Sequence, residues 1–152
     1  MRFQYATWIA ERVAWILLAL VPVVALTGIF AHGALSERTT GAADAPLSMT
    51  YERFQRQSSL SHFVARISPS GRQEAKLRLS PSFQRAFEIE SIQPQPLHSS
   101  AGTNGLEFVF AAPPTGDLVA TIWARPREFG SLRLAADSDG RGAIELPIFI
   151  YP

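Results

Sequence analysis

The sequence predicts a mainly β protein: an immunoglobulin-like β-sandwich of seven or eight short strands, preceded by one N-terminal transmembrane α-helix. Three observations carry that prediction. One uncharged apolar run, Val13 to Ala31, sits near the N-terminus; a small polar stretch without periodicity follows it; and beyond Pro46 the chain breaks into short alternating runs punctuated by turn residues.

The apolar run reads VAWILLALVPVVALTGIFA, nineteen residues of which eleven are Leu, Ile, Val or Phe. As a helix it would span about 28 Å, close to the hydrocarbon thickness of a bilayer. Its insertion is favourable by about 3–7 kcal/mol before the smaller costs of Pro22, Thr27 and Gly28. A cleaved signal peptide is the competing reading, with AHG at Ala31–Gly33 as the cleavage site. Signal cores are shorter, however, and Tyr5, Trp8 and Trp15 resemble an interfacial aromatic belt. A buried core helix would be apolar on a stripe, whereas this run is apolar on every face. Pro22 removes a backbone donor near mid-span, a kink that a neighbouring helix tolerates and can satisfy.

Arg2, Arg12 and the α-amino group lie before the run against Glu11, while Arg38 after it is accompanied by Glu37 and Asp44. The positive-inside rule then puts residues 1–12 in the cytoplasm, the span at 13–31, a polar linker at 32–46 and an extracytoplasmic domain at 47–152. The chain has no cysteine. A domain outside the cytoplasm is then held by its core alone, which fits a bacterial periplasm as well as any other compartment. The expected location, from the span and its orientation, is the bacterial inner membrane with the C-terminal domain in the periplasm.

Within 47–152 the runs are MTYERF, HFVARIS, EAKLRLS, AFEIESI, LEFVFA, DLVATIWAR, GSLRLAA and AIELPIFIYP. Alternation assigns Met49, Tyr51, Leu77, Leu79, Phe87, Ile89, Phe108, Phe110, Ile122, Leu132, Leu134, Ile144 and Leu146 to the core. Asp139-Gly140, between two such runs, reads as a hairpin turn. An open barrel is the alternative architecture.

Charge is patterned along the chain. Tyr51 to Arg85 carries seven Lys or Arg against two Glu, and Ala86 to Pro152 carries four Arg against eight acids. A basic patch for anionic lipid or nucleic acid is one reading. The plainer one pairs Lys76 and Arg78 with Glu88 and Glu90 across adjacent strands. No nucleic-acid partner is expected, because the aromatics are not interleaved with the arginines.

The search for chemistry yields no enzyme motif. There is no Cys and no GxSxG, and the three histidines are His32, His62 and His98. Ser61-His62 and His98-Ser99 are sequence neighbours, which an extended chain turns to opposite faces. Asp137-Ser138-Asp139-Gly140 begins like a calcium loop but lacks the later acids. Glu88 and Glu90 share a strand face with no cleft implied around them. No cofactor, metal or small-molecule substrate is expected.

TYERFQRQS, Thr50 to Ser58, reads as the first strand of the domain. The N-terminal apolar run, the short polar linker, this YERF strand and the PIFIYP ending together resemble a group of small single-pass bacterial membrane proteins of unknown function, found beside YetF-type multipass membrane proteins. The resemblance implies an accessory protein and brings no catalytic residue with it. The expected function is that of a membrane-anchored, non-enzymatic interaction protein. Its partners are the lipid bilayer and a multipass or other envelope protein, reached through Arg53 and Arg56 of the first strand and Pro22 of the span. An envelope-binding module for lipid or polysaccharide, with or without an enzymatic activity that no motif reveals, is the alternative.

Overall fold

A computed structural model describes residues 2–26, 36–42, 44–69 and 71–152. The chain divides into two compact units, residues 1–36 and 37–152. In the first, helix α1 runs Arg2–Leu26 and continues through Pro22. Among the described residues no helix is long and apolar enough to cross a membrane. Of the expected span, residues 13–26 belong to α1, and residues 27–31 lie outside those described.

The second unit is mainly β and holds eleven strands rather than seven or eight. They are β1 Glu37–Thr40, β2 Leu47–Glu52, β3 Phe54–Arg56, β4 Ser61–Ile67, β5 Glu74–Leu79, β6 Phe87–Gln93, β7 His98–Gly102, β8 Gly105–Ala111, β9 Leu118–Pro126, β10 Gly130–Asp137 and β11 Ile144–Tyr151. One sheet has the order β1-β2-β4-β9-β6 and the other β3-β11-β10-β5-β8-β7. The longest strands alternate strictly, as in β11, where Ile144, Leu146, Ile148 and Ile150 are buried and Glu145, Pro147, Phe149 and Tyr151 are exposed, whereas β6 breaks its alternation at a bulge between Ile89 and Ser91. Period-two hydrophobicity thus fixes which face each strand gives to the core. Side chains from both sheets form one buried cluster. Of the thirteen expected core residues, eleven are buried, and Ile89 and Leu132 are partly buried against that cluster.

Four expectations need correction. Residues 37–40, assigned to the linker, form β1 and pair antiparallel with β2, with Thr39 and Thr50 hydroxyls 2.8 Å apart. TYERFQRQS is not one strand: Arg53 breaks it, and the two halves belong to different sheets. A short helix α2, Pro81–Ala86, interrupts the strands; it is too brief to show a period. Its local signals are plain, with Pro81 in the first turn and the Ser80 hydroxyl capping the Phe83 amide. The helix buries Phe83, which stacks on Phe87 at 5.0 Å and meets Phe63 edge-on at 5.1 Å. Finally, Lys76 and Arg78 on β5 do not lie beside Glu88 and Glu90 on β6, because those strands belong to different sheets.

The Asp-Gly turn is where the sequence places it. Asp139 and Gly140 have φ of 55° and 71°, and the Arg141 amide donates to the Ser138 carbonyl at 2.9 Å. Two successive positive φ values are what a type I′ turn requires.

Candidate interaction surface

The site is built where β2 leaves one sheet and β3 enters the other. At the bend, the Arg53 carbonyl accepts from the Phe149 amide at 2.8 Å, and the Gln57 amide donates to the Tyr151 carbonyl at 2.8 Å. Those two bonds bracket a parallel pairing of β3 with β11, in the register Phe54 with Phe149 and Arg56 with Tyr151. Gln55, the middle residue of β3, is buried and donates through Nε2 to the Glu52 carbonyl at 2.9 Å. Pleating therefore turns Phe54 and Arg56 outward. On β11 the inward Ile148 and Ile150 likewise turn Phe149 and Tyr151 outward.

Three aromatic rings consequently meet on the outer face. Phe54, Phe149 and Tyr151 are 41%, 39% and 47% exposed. Phe54 stacks on Tyr151 at 6.3 Å between centroids, and Phe149 meets Tyr151 edge-on at 5.1 Å. The Arg53 guanidinium lies 5.4 Å from the Phe54 ring centroid, a cation–π distance. Next along the sheet, β10 places Ser131 opposite Phe149 and Arg133 opposite Pro147. Pro147 costs the ladder nothing on its open side. Its missing donor has the same parity as the Phe149 amide, which points toward β3, and β3 pairs only with Phe149–Tyr151.

Among the described residues, the three arginines of this face make no ion pair. Among the described residues, Arg72 bonds Asp139, Arg78 bonds Glu107, Arg125 bonds Glu90 and Arg127 bonds Glu88. Arg53, Arg56 and Arg133 have no carboxylate partner in that set, although Glu145 lies on the same outer face, opposite Ala135. The expected pairing of Lys76 and Arg78 with Glu88 and Glu90 is replaced by other pairs; Arg38, Arg66, Lys76, Arg85 and Arg141 elsewhere in the unit likewise have no carboxylate partner in that set, and what sets Arg53, Arg56 and Arg133 apart is their place beside the three rings.

Of the residues singled out in sequence, Arg53 and Arg56 are brought together here, and Phe54, Phe149 and Tyr151 were missed as members. Alternation in PIFIYP was the available signal, since burying Ile148 and Ile150 forces two aromatics outward. Pro22 belongs to the other unit. His62 is exposed on β4 while its neighbour Ser61 is buried. His98 is exposed on β7, in the other sheet, and His32 lies outside the described residues. Glu88 and Glu90 are taken up by their arginine partners. No group of three metal-ligating side chains occurs among the described residues. A lateral groove of about 430 Å³, lined by Phe87, Ile89, Leu106 and Phe108 with Ser99 and Ser100, opens between β6 and the β7–β8 hairpin.

The arrangement has the chemistry of a binding surface: flat apolar rings supply contact area, and the arginine forks offer donors to carboxylate or phosphate. No protein-family model matches this chain, and neither the curated proteins nor the solved structures contain a match to it.

Proposed function

We infer that the chain is a membrane-anchored, non-enzymatic accessory protein of the bacterial inner membrane. Its extracytoplasmic β domain docks onto a membrane or envelope protein partner through the outer face of β3 and β11. The observation that carries this reading is the joining of three exposed, interlocked aromatics to three unpaired arginines on one sheet face. Arg and aromatic side chains are the types enriched at the centres of interfaces.

The anchor reading rests on the uncharged apolar run of residues 13–31 in the sequence, of which residues 13–26 lie in α1. An immunoglobulin-like sandwich is supported by strand order. In chain order, β2, β4, β5, β6, β9, β10 and β11 take the places of seven strands, with β2-β4-β9-β6 in one sheet and β11-β10-β5 in the other. The remaining strands are additions: β1 at one edge, the detached half-strand β3, and the β7–β8 hairpin beside β5. The resemblance to accessory proteins found beside YetF-type membrane proteins points the same way.

Co-purification in mild detergent tests the reading. The full chain should bring a membrane protein with it, and Arg53→Ala with Arg56→Ala should release that protein. A chain that retains no companion, or retains it equally well in the double variant, refutes the assignment. A second reading, an envelope-binding module for lipid or polysaccharide, is favoured by one observation: the face combines cations with aromatics, the composition of a headgroup layer.

A further inference from the structure

We propose that the β3–β11 face rests on the anionic headgroups of the bilayer, laying the β domain against the membrane surface. The proposal rests on the membrane tether of the reading above and, in place of its protein contact, gives lipid as what the face touches.

Charge complementarity argues for it. Arg53, Arg56 and Arg133 carry three cations without carboxylate partners around Phe54, Phe149 and Tyr151. Each basic side chain held at an anionic surface strengthens partition by about fivefold at ordinary ionic strength. Phenyl and phenol rings settle at the depth of the headgroups, their apolar bodies toward the acyl chains. An arginine fork pairs with phosphate oxygens in the same layer. The outer face of the other sheet offers a different surface, with Thr50, Val64 and Thr121 near Arg66 and His62 and only Trp123 as an aromatic.

Absence of cysteine makes the test direct, because one introduced thiol is the only labelling site. Ser131→Cys places a label opposite Phe149, and Val119→Cys places a control on the outer face of the other sheet. The full chain is reconstituted into vesicles of phosphatidylcholine alone or mixed with phosphatidylglycerol, and reaction with a water-soluble maleimide is followed. Labelling at position 131 should slow several-fold in the anionic vesicles only, and recover in high salt or with Arg53→Glu plus Arg56→Glu. Labelling at position 119 should not change. Equal labelling at position 131 in both vesicle types overturns the proposal. If those arginine changes nevertheless release a co-purifying protein, the docking reading survives with protein as the contact. The anchor is scored separately by flotation with phosphatidylcholine vesicles after an alkaline wash, and label protection reports on the face whichever way that falls.

Discussion

Tyr151 stacks on Phe54 with ring centroids 6.3 Å apart and planes 28° from parallel, so the last strand and a three-residue edge strand share one aromatic surface. The contact exists because β2 does not continue in its own sheet. At Arg53 the chain crosses over, and the detached half-strand pairs parallel with β11 instead. A three-residue parallel strand is weak by itself, with few ladder bonds and a slanted geometry. The Gln55 Nε2 bond to the Glu52 carbonyl, the two bracketing backbone bonds and the ring stacking are what hold it in place.

Because β1 pairs along four positions of β2, the β domain begins at Glu37 and not at the end of a linker. A fragment of residues 37–152 should fold cooperatively with β-type circular dichroism. A fragment of residues 45–152 should melt at a lower temperature, since removing β1 exposes the backbone edge of β2. Identical melting of the two would mean that β1 contributes nothing.

Gly105 closes the β7–β8 hairpin with φ of 102°, and a Cβ there would stand 2.0 Å from the Leu79 carbonyl oxygen. That oxygen belongs to the backbone, so it cannot swing away. Gly105→Ala should cost about 3 kcal/mol or more, a tertiary clash added to left-handed strain. Gly116 also has a positive φ but nothing within 4 Å of its Cβ position. Gly116→Ala should therefore cost only about 1 kcal/mol. Chemical denaturation of both variants separates the two causes.

Phe108 and Leu134 are 6% and 1% exposed within the shared core. Truncating either to Ala should cost about 2–5 kcal/mol by lost burial and a residual cavity. Losses below about 0.5 kcal/mol at both positions, a surface-type effect, would place them outside the packed interior.

These results show where the sequence was legible. Strict alternation identified the core-facing residues because a strand has only two faces, and an error of one residue would have exposed every one of them. Sheet membership was not legible. Alternation in EAKLRLS and AFEIESI describes each strand alone, and nothing in either run reports that the α2 segment between them carries the chain from one sheet to the other. The break at Arg53 was hidden for a similar reason, since Tyr51, Gln55 and their neighbours keep the period of two on average while the chain changes sheets. The interaction face followed only from pairing β3 with β11, a contact between the two ends of the domain that no local pattern encodes.

The same topology sets the outcome of a charge test. Arg78 lies opposite Glu107 and bonds it at 2.6 Å, and that hydrogen bond raises the arginine pKa further. A double-mutant cycle on Arg78 and Glu107 should return a favourable coupling that fades as salt screens the exposed pair. A cycle on Lys76 and Glu88, which occupy different sheets, should return none. Coupling between Lys76 and Glu88 of the size found for the true pair would contradict the strand order.

Arg53, Arg56 and Tyr51 allow docking to be separated from folding. Tyr51 is 2% exposed on β2, whereas Arg53 and Arg56 point outward and carry no ion pair. Truncating an exposed, unpaired arginine removes little packing, so Arg53→Ala with Arg56→Ala should leave the melting temperature within about 2 °C of the parent. The double variant should still lose its membrane companion in detergent. Tyr51→Ala should do the reverse in cause: it leaves a cavity costing about 3 kcal/mol, and any loss of association should follow loss of folded protein. Adding Phe149→Ala to the arginine pair should deepen the docking defect without a stability cost comparable to that at Tyr51, because the ring is exposed and packs mainly on Tyr151. If the arginines prove necessary for folding while Tyr51 matters only for association, β2 and β3 are turned over relative to the structure, and the proposed face belongs to the interior.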